Sequence, residues 1–182
     1  MENLNVREES YSKTAIWLHW TIAVLIVVAF AIGLTVDDFP KSWDKAVVNT
    51  HVLIGLAILV LSVARLYWRF THVPPKLPLQ VGPLLTKVAH LGHFLLYTMM
   101  FAVPLVGIPT LFYRGRGIDF GLFQIPPLLA RSPQIFKPLT QIHELTAYAL
   151  IGLAVGHVVA ALYHQLFLKD RLMSRMLGHR FR

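Results

Sequence analysis

The sequence predicts an all-α membrane protein: a bundle of four transmembrane helices with both termini on one side, the cytoplasmic one. Three observations carry this expectation. Of 182 residues, 55% are hydrophobic and only 14% charged, with a mean hydropathy of +0.58, a balance that excludes an ordinary soluble globule. Four apolar runs, 14–36, 47–68, 88–112 and 140–168, are each long enough to cross about 30 Å of hydrocarbon as a helix. The third observation is where the cations fall. Lys and Arg number two before the first run, two, four and four in the successive connections, and five after the last. With Arg65 counted in the second connection, 11 of the 17 lie on the side shared by the termini and that connection. The positive-inside rule makes that side cytoplasmic. The same distribution argues against nucleic acid as the partner behind a net charge of +8.

The elements follow in order within one domain, 1–182. Residues 1–13 are a polar lead-in. The first run is too long for the apolar segment of a secretory signal, and no small-residue cleavage site follows it. It carries one strongly polar ring, His19, flanked by Trp17 and Trp20 at interfacial depth. A short acidic loop leads to the second run, which meets His51 early and leaves through the cationic, aromatic stretch 65–69. The proline-rich stretch 72–83 reads as an irregular connector. In the third run His90 and His93 lie near the inner end, and Pro104 and Pro109 predict a kink or an early stop towards the outer one. Residues 113–139 form the longest loop, with an apolar patch at 120–129, expected to fold over the outer mouth. The fourth run holds His143, His157 and His164, and its Gly152 and Gly156 would admit the close approach of a helix or a flat ring.

Intramembrane histidines are costly without a partner, so their depths are informative. His143 and His157 are fourteen residues apart, nearly four turns and about 21 Å of helix. Helix direction puts His19 and His157 at one depth and His51 and His143 at the other. Two layers of paired imidazoles suggest two stacked haems, each clamped between helices by bis-histidine ligation. Neither layer offers four clustered nitrogen or sulfur ligands for zinc. With no cysteine there is no thioether or iron–sulfur chemistry on this chain. His90 and His93 read as propionate or interfacial groups, or as inner-layer ligands in place of His19. His72 and His179 read as ordinary polar residues. His164 continues the His157 stripe about 10 Å deeper. It is either a snorkelling ring or a hydrogen-bond and proton partner for a quinone. Arg114, Arg116, Arg131 and Lys137 either pair with propionates and lipid phosphates or steer small anions towards the outer layer.

With these residues placed, the chain resembles the prokaryotic cytochrome b561 family. The resemblance rests on IWLHW (16–20), THVLIGLAILVLSVARLYWR (50–69) with PP at 74–75, and AHLGHFLLY (89–97) followed by PLVG (104–107). IHELTAY (142–148), GHVVAALYHQLFLKD (156–170) and SRM (174–176) complete it. The family often has a lysine after the histidine matching His51, where this chain has Val52. The resemblance implies two b haems on His19, His51, His143 and His157, and a bacterial inner-membrane location. It is nearest the superoxide oxidase branch, implying electron passage from superoxide at the periplasmic face to ubiquinone, with His164 at the quinone site. A second function implied by related cytochromes is an electron-transfer subunit joining a protein dehydrogenase, as donor, to the quinone pool. A third reading is a structural haem carrier without redox coupling between layers.

Overall fold

The computed structural model describes residues 10–73, 75, 82–170 and 172–177. The lead-in 1–9, most of the connector and His179 lie outside them. Four long helices dominate: α1 (Lys13–Thr35), α2 (Asp44–Thr71), α3 (Pro83–Tyr113) and α4 (Pro133–Tyr163). Between α3 and α4 a small antiparallel hairpin pairs β1 (Ile118–Asp119) with β2 (Gln124–Ile125), Ile118 opposite Ile125. After α4 come a π turn (His164–Leu168) and the short α5 (Ser174–Leu177).

Four features of the helix boundaries differ from the sequence expectation, and prolines account for two of them. Pro83 and Pro133 open α3 and α4 at the first helical positions, where the missing N–H has no partner to lose. These helices therefore start five and seven residues before the apolar runs do. At its far end α3 shows no early stop: it passes Pro104 and Pro109 and continues to Tyr113. The fourth expected helix, by contrast, leaves α geometry at His164.

Close-packed neighbours are α1 with α2, α2 with α3, and α3 with α4. A mid-depth cluster of Ile22, Ala29, Ile58, Met100 and Leu150 joins all four. Leu150 stands seven residues from both His143 and His157, so this apolar plug separates the two histidine depths. Outward-facing Val24, Val60, Val63, Phe94 and Val155 are exposed, as a bilayer-spanning surface requires. The chain is a multi-pass membrane protein with four spanning helices.

The two ends are built differently. At the end carrying the termini, Ser12 caps α1 by accepting from the Ala15 amide and also accepts from Trp68 Nε1 at 2.9 Å. Trp20 Nε1 donates to the Met176 carbonyl, and the Tyr11 amide to that of Arg175. At the opposite end the hairpin packs on the first turns of α2. Asn49 makes two bonds of 2.9 Å to the Asp119 backbone, above a cluster of Leu111, Phe112 and Ile118. Gly117 admits this arrangement, because a Cβ there would lie 2.2 Å from the Ile125 carbonyl.

Candidate haem and electron-transfer site

At the hairpin end His51 of α2 faces His143 of α4, ring centroids 6.0 Å apart and planes at 79°. At the terminal end His19 of α1 faces His157 of α4 at 6.3 Å and 77°. Two imidazoles sharing one metal through Nε2, each nitrogen about 2.0 Å from it, hold their centroids about 6 Å apart. Both pairs fit that spacing. The pairs bridge α1 to α4 and α2 to α4, helices that are not among the close-packed neighbours of the described residues. The room and the donor set therefore suit a flat, bis-histidine-ligated group at each depth.

The hairpin-end rings are held from behind. His51 Nδ1 bonds the Ala29 carbonyl of α1 at 3.0 Å, and His143 Nδ1 bonds the Val103 carbonyl of α3 at 3.0 Å. Such a bond leaves Nε2 as the nitrogen facing the partner ring. Above this layer Arg114 and Arg131 lie over the Phe136 ring, 5.4 and 5.9 Å from its centroid. Arg114 also donates to Thr140 Oγ1 at 3.0 Å. Phe136, Thr140 and His143 lie on one face of α4, so this cationic pair sits over the hairpin-end layer. Lys137 is exposed beside them. Arg116 has a different place: it forms an ion pair with Asp44 at the start of α2.

The terminal-end layer holds a third ring. His93 lies 5.4 Å from His157, closer than His19 does, with its Nδ1 on the carbonyl of Ala89 in its own helix at 2.8 Å. His90 is exposed and stands apart from the cluster. Arg65, near the end of the second helix as expected and counted above with the connection only for its charge, lies in α2 fourteen residues after His51, and its Nε donates to Tyr97 OH at 3.1 Å. Its charge acts on His19, His93 and His157 together. Apolar patterning offered no sign of this, since an arginine near a helix end reads as an interface anchor. A cavity of about 470 Å³, lined by Arg65, Arg69, Tyr97, Trp68 and Ser12 among others, opens beside the layer. His72 stacks on Trp68 at its rim, centroids 3.7 Å apart.

Gly152 and Gly156 make no close helix contact, since a Cβ at either meets no atom within 4 Å. The glycines that do face rings are Gly33 and Gly107, against His51 and His143.

His164 lies past the inner layer, where the π turn and a left-handed Lys169 (φ 53°) reverse the chain. That reversal brings Asp170 back onto His164, its carboxylate bonding Nδ1. The other carboxylate oxygen accepts from the Leu172 amide. Asp170 is nearly buried and His164 partly so; Nε2 of the ring has no hydrogen-bond partner among the described residues. A non-glycine residue in the left-handed region is uncommon and is kept where the surroundings demand it. Aspartate six residues from a histidine is no helical neighbour, so this dyad was hidden from spacing rules.

The sequence profile of prokaryotic cytochrome b561 matches residues 10–179. A probable superoxide oxidase CybB of Yersinia pestis is 32% identical, with 93% of this chain and 96% of that protein aligned. Cytochrome b561 homolog 1 of Escherichia coli K12 is 30% identical over 93% and 98% of the two chains. A cytochrome b562 of Cereibacter sphaeroides is 32% identical over 96% and 99%.

Proposed function

Because the chain belongs to the prokaryotic cytochrome b561 family, whose members carry electrons within membranes, we propose that it is a di-haem superoxide:ubiquinone oxidoreductase of a bacterial inner membrane. The hairpin end faces the periplasm and the terminal end the cytoplasm, following the cation distribution. The observation that carries the reading is the pair of ring layers, at 6.0 and 6.3 Å, fourteen residues apart along α4.

His51 with His143, and His19 with His157, would each hold one haem b through Nε2. When bound, haem would supply a one-electron iron couple, and its ligation by two imidazoles would favour electron transfer over oxygen binding. The Ala29 and Val103 carbonyls keep the outer rings in the tautomer that presents Nε2. Arg114, Arg131 and Lys137 give the outer end a local positive field that attracts superoxide, a small anion. Superoxide gives up one electron and leaves as dioxygen, with no proton moved. At the terminal end a quinone takes two electrons, one from each of two superoxide anions, and two protons, one through His164 and one from the aqueous phase, to become a quinol. His164 donates from Nε2 to a quinone oxygen and passes on that proton. Asp170 positions the ring by holding Nδ1. The name of the Yersinia relative supports superoxide as the donor.

The test is stopped-flow absorbance of the oxidised, detergent-purified protein mixed with superoxide and then with ubiquinone. Rapid reduction of haem bands followed by reoxidation is the expected result. Haem bands that superoxide leaves oxidised would transfer the donor role to a protein dehydrogenase. Absence of haem after ample haem supply would overturn the ligand assignment itself.

A further inference from the structure

We infer that Gly33 and Gly107 are positioning residues: each is a seat, on the neighbouring helix, that fixes the ring of one outer-layer histidine for metal binding. The inference rests on the axial roles proposed for His51 and His143. Both rings meet the adjacent helix in the same way. His51 touches α1 at the Ala29 carbonyl and, one turn on, at Gly33. His143 touches α3 at the Val103 carbonyl and, one turn on, at Gly107. The repeat occurs on two unrelated stretches of sequence, and in both the spacing from carbonyl to glycine is four residues.

The contact leaves a methyl group too little room unless the ring yields by a few tenths of an ångström. A Cβ at Gly33 would lie 3.3 Å from His51 Cε1. One at Gly107 would lie 3.1 Å from His143 Cε1 and 3.3 Å from Nδ1. These distances are tighter than ordinary van der Waals contact. The most obstructed atom, Cε1, lies between the bonded Nδ1 and the Nε2 proposed to bind the metal, so neither imidazole yields as a flexible chain end would. An alanine must turn the ring or stretch that bond. Elsewhere in the long helices Gly55, Gly92, Gly152 and Gly156 have open space, and no described glycine touches His19, His93 or His157. The seats therefore belong to the hairpin-end layer and serve the rings rather than helix packing in general.

Electron paramagnetic resonance of the oxidised protein tests this, because the g-values of a low-spin ferric haem report the orientation of its axial rings. Gly33→Ala and Gly107→Ala should each shift one of two signals, or lower bound haem from two towards one per chain, with the other signal unchanged. Gly92→Ala, a helix glycine in open space, should leave both as they are. A double-mutant cycle separates the seat from simple loss of fold: once His143→Ala has removed the ring, adding Gly107→Ala should not lower the thermal unfolding midpoint further. Unshifted signals in both seat variants, beside a lost signal in His143→Ala, would overturn the seats alone. So would an equal fall in midpoint with and without the ring. Two intact signals in His143→Ala would overturn the axial reading beneath them.

Discussion

The hairpin end and the terminal end present the same pair of facing imidazoles in opposite settings. At the hairpin end each ring is bonded to the backbone of a neighbouring helix, backed by a glycine, and covered by a hairpin anchored through Asn49. At the terminal end, among the described residues, His19 and His157 have no such backing. A third ring, an arginine held by a tyrosine, a cavity of about 470 Å³ and the His164–Asp170 dyad gather there instead. On the function proposed above, the difference would separate two jobs. On that function, a layer whose rings are held by backbone carbonyls needs only to hold its group still while an electron arrives from a small anion, a step that moves no proton. On the same proposal, the layer beside the arginine, the third ring and the His164–Asp170 dyad supplies the proton carriers that quinone chemistry would require.

The largest effect that would sharpen this contrast lies on the polar side. His164→Ala should slow reoxidation by ubiquinone about a hundredfold, in line with the usual worth of a positioned proton donor. Reduction by superoxide should be unchanged. Stopped-flow traces of the two half-reactions measure both, and equal slowing of the two would break the division of labour. Next in size is steering at the hairpin end. Replacing Arg114, Arg131 and Lys137 by glutamine should slow reduction by superoxide about tenfold at low salt, with the difference shrinking as salt screens the field. A salt-independent loss would mean that these cations act structurally. Arg116, engaged by Asp44, should contribute least to the salt dependence. The smallest effect concerns the charge on the inner rings. Arg65→Gln removes a cation beside His19, His93 and His157, and loss of positive charge disfavours the reduced state less positive in charge to begin with. The inner midpoint potential should fall by on the order of tens of millivolts, the outer one staying put, as read by spectroelectrochemical titration.

Much of this was legible in the sequence because membranes impose few solutions. Four long apolar runs give four helices, and helix direction alone brings His19 to the depth of His157 and His51 to that of His143. What stayed hidden depends on contacts between helices. A glycine in an apolar run looks the same whether it backs a ring, as Gly107 does, or faces open space, as Gly152 does. Arg65 looked like an interface anchor because its partner, Tyr97, is on another helix. Pro83 and Pro133 fell in stretches read as a connector and a loop, although each opens a helix. The Asp170 contact arises from a local reversal through a left-handed lysine, which no helical period encodes.

The central claim is that four histidines form two pairs, and haem quantification with resolved absorbance and resonance spectra in four single variants tests it most directly. His51→Ala and His143→Ala should each leave one haem per chain and lack the same spectral component. His19→Ala and His157→Ala should each lack the other. Any different grouping would contradict the account, above all a His93→Ala protein missing the haem that His19→Ala retains.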